Sequence, residues 1–134
     1  MERFSISMEE DLVQKFDAHL ERRGYSNRSE AVRDLVRKAL IDEEWKAGEE
    51  VVGVITLVYD HHQRQLQEKL TDIQHDHHDM IVSATHVHMD HHNCLEVIIV
   101  RGDASEIREM ADLLKAAKGV KSGELTAAST GHKL

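Results

Sequence analysis

The chain has 134 residues, a formal net charge of −8, 40% hydrophobic residues, no proline and one cysteine. That length suits one average domain or two very small ones. One cysteine excludes an internal disulfide framework and, beside histidines, fits a reducing cytoplasm. The start, Met1-Glu2-Arg3-Phe4, has no apolar leader, and no apolar run approaches a membrane span, so a soluble cytoplasmic protein is expected.

Charge is unevenly spread. Residues 47–134 hold 8 Lys/Arg against 14 Asp/Glu, whereas Arg22 to Lys38 carries Arg22, Arg23, Arg28, Arg33, Arg37 and Lys38 against Glu30 and Asp34. A basic island on an acidic chain is a phosphate footprint or a solvated helix face. Residues 2–8 alternate, with Phe4, Ile6 and Met8 on one side and Arg3, Ser5 and Ser7 on the other, which predicts a short strand. Leu12, Val13, Phe16 and Leu20 recur at helical spacing up to Gly24. Asn27-Arg28-Ser29-Glu30 reads as a capping box opening a second helix, with Ala31, Leu35, Val36, Ala39 and Leu40 on its apolar face, running to about Trp45.

One strand and two helices in about 45 residues enclose too little core to stand alone. Two copies pairing their strands about a twofold axis would supply core and ladder together. The resulting two-stranded ribbon would display Arg3, Ser5 and Ser7 from each copy, and such a ribbon fits the DNA major groove. This strand–helix–helix order, centred on Arg22-Arg23-Gly24-Tyr25-Ser26-Asn27-Arg28-Ser29-Glu30-Ala31, resembles ribbon-helix-helix DNA-binding domains.

After a link at Ala47-Gly48-Glu49-Glu50, the pattern predicts strand 51–60, helix 62–74, strand 79–89, strand 94–101, helix 103–118 and strand 120–126. The β-branched pairs Val51-Val52 and Val54-Ile55, then Ile107, Met110, Ala111 and Leu114 at helical spacing, carry that reading. The order βαββαβ is the ferredoxin-like split motif. The expected fold is therefore α+β: a ribbon-helix-helix domain over residues 1–46, followed by a ferredoxin-like domain over 51–134.

Histidines crowd one stretch: His75, His77, His78, His86, His88, His91 and His92, with Cys94 beside them. Imidazole and thiolate are the side chains best suited to borderline-soft transition metals. His86-Val87-His88 lies in an alternating run, so both rings fall on one face of a strand. Asp90 to Asn93 reads as a turn, and a hairpin there folds Cys94 back toward the two imidazoles. His86, His88 and Cys94 supply three donors, and a fourth is wanted.

Taken together, the two modules resemble the nickel-responsive transcriptional regulator family (NikR). The likeness rests on Arg22-Arg23-Gly24-Tyr25, Asn27-Arg28-Ser29-Glu30-Ala31, His75-Asp76-His77-His78-Asp79, His86-Val87-His88 and Cys94-Leu95-Glu96, and covers residues 2–126. The resemblance implies Ni(II), one per subunit at an inter-subunit site, held square-planar by His86, His88 and Cys94 of one subunit and His75 of another. It implies a homotetramer, a dimer of dimers, that represses nickel-uptake genes when loaded by binding double-stranded DNA at a palindromic operator. Arg3, Ser5, Ser7, Arg22, Arg28 and Arg33 would contact DNA, Arg64 would reach a phosphate from the core, and Glu96 would accept a hydrogen bond behind the metal ligands. Glu30 and Asp34 match carboxylates that help bind a second cation; the plainer reading pairs them with Arg33 and Lys38.

Three positions depart from the family pattern. Asp76 interrupts a histidine run, Ser5 and Ser7 replace ribbon threonines and lose methyl contacts, and Gln63 stands where some members are basic. Outside the ligand set, His19 and His132 read as solvent-facing, His61 and His62 as helix-start surface residues with weak secondary metal affinity, and Trp45 as a packing contact. His77, His78, His91 and His92 show no common geometry. Two other functions compete with this one. A metal store or metalloenzyme would leave the N-terminal arginines without a purpose, and a ribbon-helix-helix regulator sensing a small molecule would leave the histidines incidental. No enzymatic activity is expected.

Overall fold

Gly24 ends the first helix for a backbone reason. In the computed structural model, which describes Met1–Leu134, helix α1 (Glu10–Arg23) closes on Gly24 at φ 78°, a left-handed conformation that a side chain would strain. The Gly24 N–H donates to Glu21 O and the Tyr25 N–H to Leu20 O, the paired bonds of a Schellman close. Glu10 and Asp11 sit in the first turn and Arg22 and Arg23 in the last, each complementing the helix dipole. Helix α2 (Arg28–Lys46) opens where the capping box predicts: the Glu30 N–H donates to Asn27 Oδ1 at 2.9 Å. The Glu30 carboxylate accepts from the Ser26 hydroxyl at 3.2 Å. Arg28 fastens α2 to α1 by a two-point pair with Asp17, at 2.9 and 2.8 Å.

The chain divides into a unit of Met1–Ala39 and a unit of Leu40–Leu134. In the first, Leu20 and Ala31 are buried, while Phe4, Ile6, Leu12, Leu35 and Val36 are between 49% and 77% exposed. The strand expected over residues 2–8 does not form: residues 1–9 carry no regular structure. A ladder needs a second strand to bond to, and the single chain has none for this segment.

The second unit holds β1 (Glu50–Asp60), α3 (Leu66–Asp76), β2 (Ile81–His88), β3 (Asn93–Asp103), α4 (Ala104–Ala116) and β4 (Val120–Ala128). The four strands form one antiparallel sheet in the order β2-β3-β1-β4, the ferredoxin-like arrangement expected from βαββαβ. Alternate residues of β1 (Val51, Ile55, Leu57, Tyr59) and β3 (Cys94, Glu96, Ile98, Val100) are buried on one face. Leu66 and Leu70 of α3 and Ile107, Met110, Ala111 and Leu114 of α4 join the same core. Asp103 caps α4, accepting the Ser105 and Glu106 N–H groups. Trp45 is 3% exposed, and its Nε1–H donates to the Ala128 carbonyl at 2.8 Å, which makes it the packing residue it was read to be.

Two element starts in this unit shift by two residues or more from the sequence reading, and no end shifts by more than two. The third helix begins at Leu66 instead of 62, because the Asp60 carboxylate takes the His62 N–H, the Asp60 carbonyl takes the Gln63 N–H, and Gln65 sits at φ 68°. His61 and His62 therefore lie in a turn and do not start a helix. The second strand begins at Ile81 instead of 79, after a single 3-10 turn over His78–Met80.

Candidate metal centre

The hairpin joining β2 to β3 is tied by Asp90. Its carboxylate accepts the N–H groups of Asn93 and His92 at 2.8 and 2.9 Å and the Asn93 side-chain amide, which hold its pKa down to about 2. The tie fixes the register: His88 opposite Cys94, Val87 opposite Leu95, His86 opposite Glu96. Opposed residues of an antiparallel pair share a face. Both imidazoles therefore stand on the face that carries Cys94, Glu96 and Tyr59.

Cys94 Sγ lies 3.3 Å from His88 Nδ1. The His86 ring is 5.1 Å from that of His88, centroid to centroid, and 6.0 Å from Tyr59, edge to face. Cys94 is fully buried, while His86 and His88 are exposed. Burial pushes the Cys94 thiol above its usual range, and the negative charges of Asp60, Asp90 and Glu96 add to the shift. A cation entering here must displace a proton from sulfur. Two imidazole nitrogens and a sulfur suit a borderline-soft ion such as Ni(II), Cu(II) or Zn(II), so the residues fit a nickel ion.

Behind the donors, Glu96 is buried with both carboxylate oxygens engaged. Tyr59 Oη donates to Oε2 at 3.1 Å and Gln74 Nε2 to Oε1 at 3.0 Å. Burial first, then the Glu96 charge, pushes the Tyr59 phenol well above its usual value, so it remains a donor.

The sequence reading placed His61 on the surface, and the structure brings it to the hairpin. Its ring is 5.1 Å from that of His88, and its Nε2 is 2.8 Å from the His91 carbonyl. Nε2 donates there, which leaves the lone pair on Nδ1. One donor atom from each of His61, His88 and Cys94 lies within 4.8 Å of the others. The signal was in the register: Tyr59 pairs with Cys94, and two residues further His61 meets the hairpin from the end of β1. His75 is not brought to these residues within one chain. It is exposed in the last turn of α3, its ring stacked on that of His78 at 6.0 Å.

Of the residues expected to meet DNA, Arg3, Ser5, Ser7, Arg22, Arg33 and Arg64 are exposed. Arg28 is exposed too, but its guanidinium is taken up by Asp17. Glu30 and Asp34 accept from Ser26 and Tyr25, at 3.2 and 2.6 Å, and the cation nearest Asp34 is Arg37 at 3.8 Å. The pairing read for them with Arg33 and Lys38 does not form.

Residues 52–128 match the family model described as the NikR C-terminal nickel binding domain. Residues 2–43 match the ribbon-helix-helix protein, copG family, model. A protein of Desulfotalea psychrophila named "Putative nickel-responsive regulator" is 56% identical over 134 residues, covering 100% of this chain and 98% of its own. One of Geobacter sulfurreducens bearing the same name is 55% identical over 133 residues, covering 98% and 96%. Among solved structures, the uncharacterized protein TM1266 from Thermotoga maritima superimposes with a TM-score of 0.54 at 12% identity, over 59% of this chain and 98% of that one. That likeness concerns the fold alone.

Proposed function

The chain belongs to the nickel-responsive regulator family, and from that membership we propose that it is a nickel-dependent repressor acting at a palindromic operator of nickel-uptake genes. One observation carries the reading. A thiol and two imidazoles share one face of the β2–β3 hairpin, with Cys94 Sγ 3.3 Å from His88 Nδ1, on a chain whose first 43 residues match a ribbon-helix-helix model. His86, His88 and Cys94 would hold Ni(II), with His75 of another subunit as the fourth donor. Held by these residues, the ion would link two chains and neutralise the negative charge left on Cys94 when it loses its proton.

The protein's own residues do the rest. Glu96, the register partner of His86, accepts from Gln74, next to His75, so order at the metal strand bears on the end of α3. The second sheet face supports assembly into a tetramer. It is formed by Val52, Val54, Val58, Leu95 and Val97, all half-buried, together with the more exposed Val87 and Ile99, and apolar faces of this kind mark interfaces. The exposed apolar side chains of Phe4, Ile6 and Leu12 support pairing of two N-terminal units. A ribbon so formed would turn Arg3, Ser5 and Ser7 toward base edges, while Arg22 and Arg33 meet phosphates.

The test is recovery of genomic fragments by the full-length protein at fixed, near-physiological salt, with nickel and with chelator. A palindrome-bearing fragment recovered with nickel alone is the expected result. Equal recovery with chelator would reduce the metal to a structural part, and no enrichment in either arm would return the protein to metal storage.

A further inference from the structure

Beside the hairpin that carries the thiolate centre, the end of β1 and the β2–β3 loop bring together a second set of donors. One ligand atom from each of Asp60, His62 and His92 lies within 4.8 Å of the others. Asp60 ends β1, His62 lies in the turn that follows, and His92 lies in the β2–β3 loop. The backbone fixes all three. The His62 N–H donates to Asp60 Oδ1 at 2.9 Å, the His92 N–H to Asp90 Oδ1 at 2.9 Å, and the His61 N–H to the His92 carbonyl at 3.0 Å. The last bond ties the two loops together, so the backbone holds the three residues near one another. The His62 ring lies 5.5 Å from that of His92 and 5.3 Å from that of His91.

We propose that Asp60, His62 and His92 form a second, lower-affinity site for a borderline divalent transition ion such as Ni(II), Zn(II) or Co(II), with water completing the coordination shell. Two imidazoles and a carboxylate are donors that such ions accept, and three protein ligands leave positions open. Asp60 enters as the anion, since the His62 N–H holds its carboxyl below the usual range, with the His62, His92 and Lys121 charges acting in the same direction. Lys121 does not block the site, because its Nζ donates to Asn93 Oδ1 at 2.6 Å.

The second site shares no donor with the thiolate centre and stands even if that assignment fails. It lacks a thiolate and the low-dielectric surroundings of Cys94, so it binds at least about tenfold more weakly and fills only when metal is in excess. Two of its ligands, Asp60 and His62, flank His61, whose ring faces that of His88.

Titration of the metal-free full-length protein with Ni(II) alone tests this, with bound ion counted by equilibrium dialysis and thiolate-to-metal absorption followed in parallel. Wild type should bind one ion per chain that raises the absorption and a weaker one that leaves it unchanged. H62A/H92A should lose the weaker ion, by tenfold or more in affinity, and keep the band, which also reports an intact hairpin. C94A should lose the band and keep the weaker ion, and Asp60→Asn should weaken that ion alone. The proposal is overturned if wild type stops at one ion per chain, or if H62A/H92A binds the weaker ion as tightly as wild type. Loss of the band in H62A/H92A would overturn it as well, because the two sites would then not be separate.

Discussion

Gln74 Nε2 donates to Glu96 Oε1 at 3.0 Å. Gln74 precedes His75 on α3, and Glu96 is the register partner of His86 on β2. One buried carboxylate therefore joins the strand of the in-chain histidines to the helix end that carries the histidine read as another subunit's ligand.

Glu96→Ala removes the acceptor for two donors, one of them the hydroxyl of Tyr59, a residue only 1% exposed. A buried hydroxyl left without a partner costs about 1–3 kcal/mol, and urea unfolding of the metal-free protein should show a loss of that order. Glu96→Gln keeps the shape and one acceptor oxygen and should lose less. Equal stability of Glu96→Ala and wild type would mean that the network carries no weight in the fold.

The sequence offers His86 as a ligand, and the single chain offers His61 beside His88 and Cys94. Binding of nickel to point variants separates them. Cys94→Ala should abolish the thiolate band, and His86→Ala should weaken the nickel that produces it by tenfold or more. His61→Ala should leave the band in place. The reverse order for His86 and His61 would reassign the ligand and make the site complete within one chain.

Acid should loosen the second unit in a defined window. Asp60, Asp90 and Asp103 are each held below the usual 3.8 by N–H or hydroxyl donors. A carboxyl with a depressed folded pKa adds stability that is fully present above its unfolded pKa and is lost as pH falls through the folded one. The loss should therefore run from about pH 4 downward to about pH 2. Asp103→Asn keeps an acceptor at the start of α4 but does not titrate, so its urea midpoint should fall less steeply across that window. An unchanged slope would show that Asp103 contributes nothing to acid sensitivity.

DNA binding should tell the arginines apart. Arg3→Ala should blur sequence preference, because a side chain at a base edge carries specificity. Arg22→Ala or Arg33→Ala should weaken all sequences alike and lower the salt slope by about one. Arg28 is already paired with Asp17, so Arg28→Ala should leave the slope nearly unchanged. A uniform loss for Arg3→Ala would remove it from the ribbon's reading face.

Much of the fold was legible because it rests on local rules. Asn27 is a helix cap whatever lies around it, Gly24 tolerates φ 78°, and Ile107, Met110, Ala111 and Leu114 recur at helical period. The delayed start of α3 was not legible, since it follows from Asp60 capturing the His62 N–H, a choice between two polar groups that periodicity does not see. The strand over residues 2–8 is legible as alternation yet absent from the single chain, because alternation chooses faces while a ladder requires a partner.

The sequence by itself determined that His86 and His88 share a strand face and that a turn follows at Asp90, because side-chain alternation and turn chemistry are properties of neighbouring residues. Only the tertiary structure decided what meets them. Beyond the local hairpin that returns Cys94 to them, pairing β3 with β1 brought His61 in from the far end of β1 and buried Glu96 between Tyr59 and Gln74. The two Glu96 bonds join residues 22 and 37 positions apart. Their geometry follows from the register of three strands packed under two helices, which no local pattern encodes.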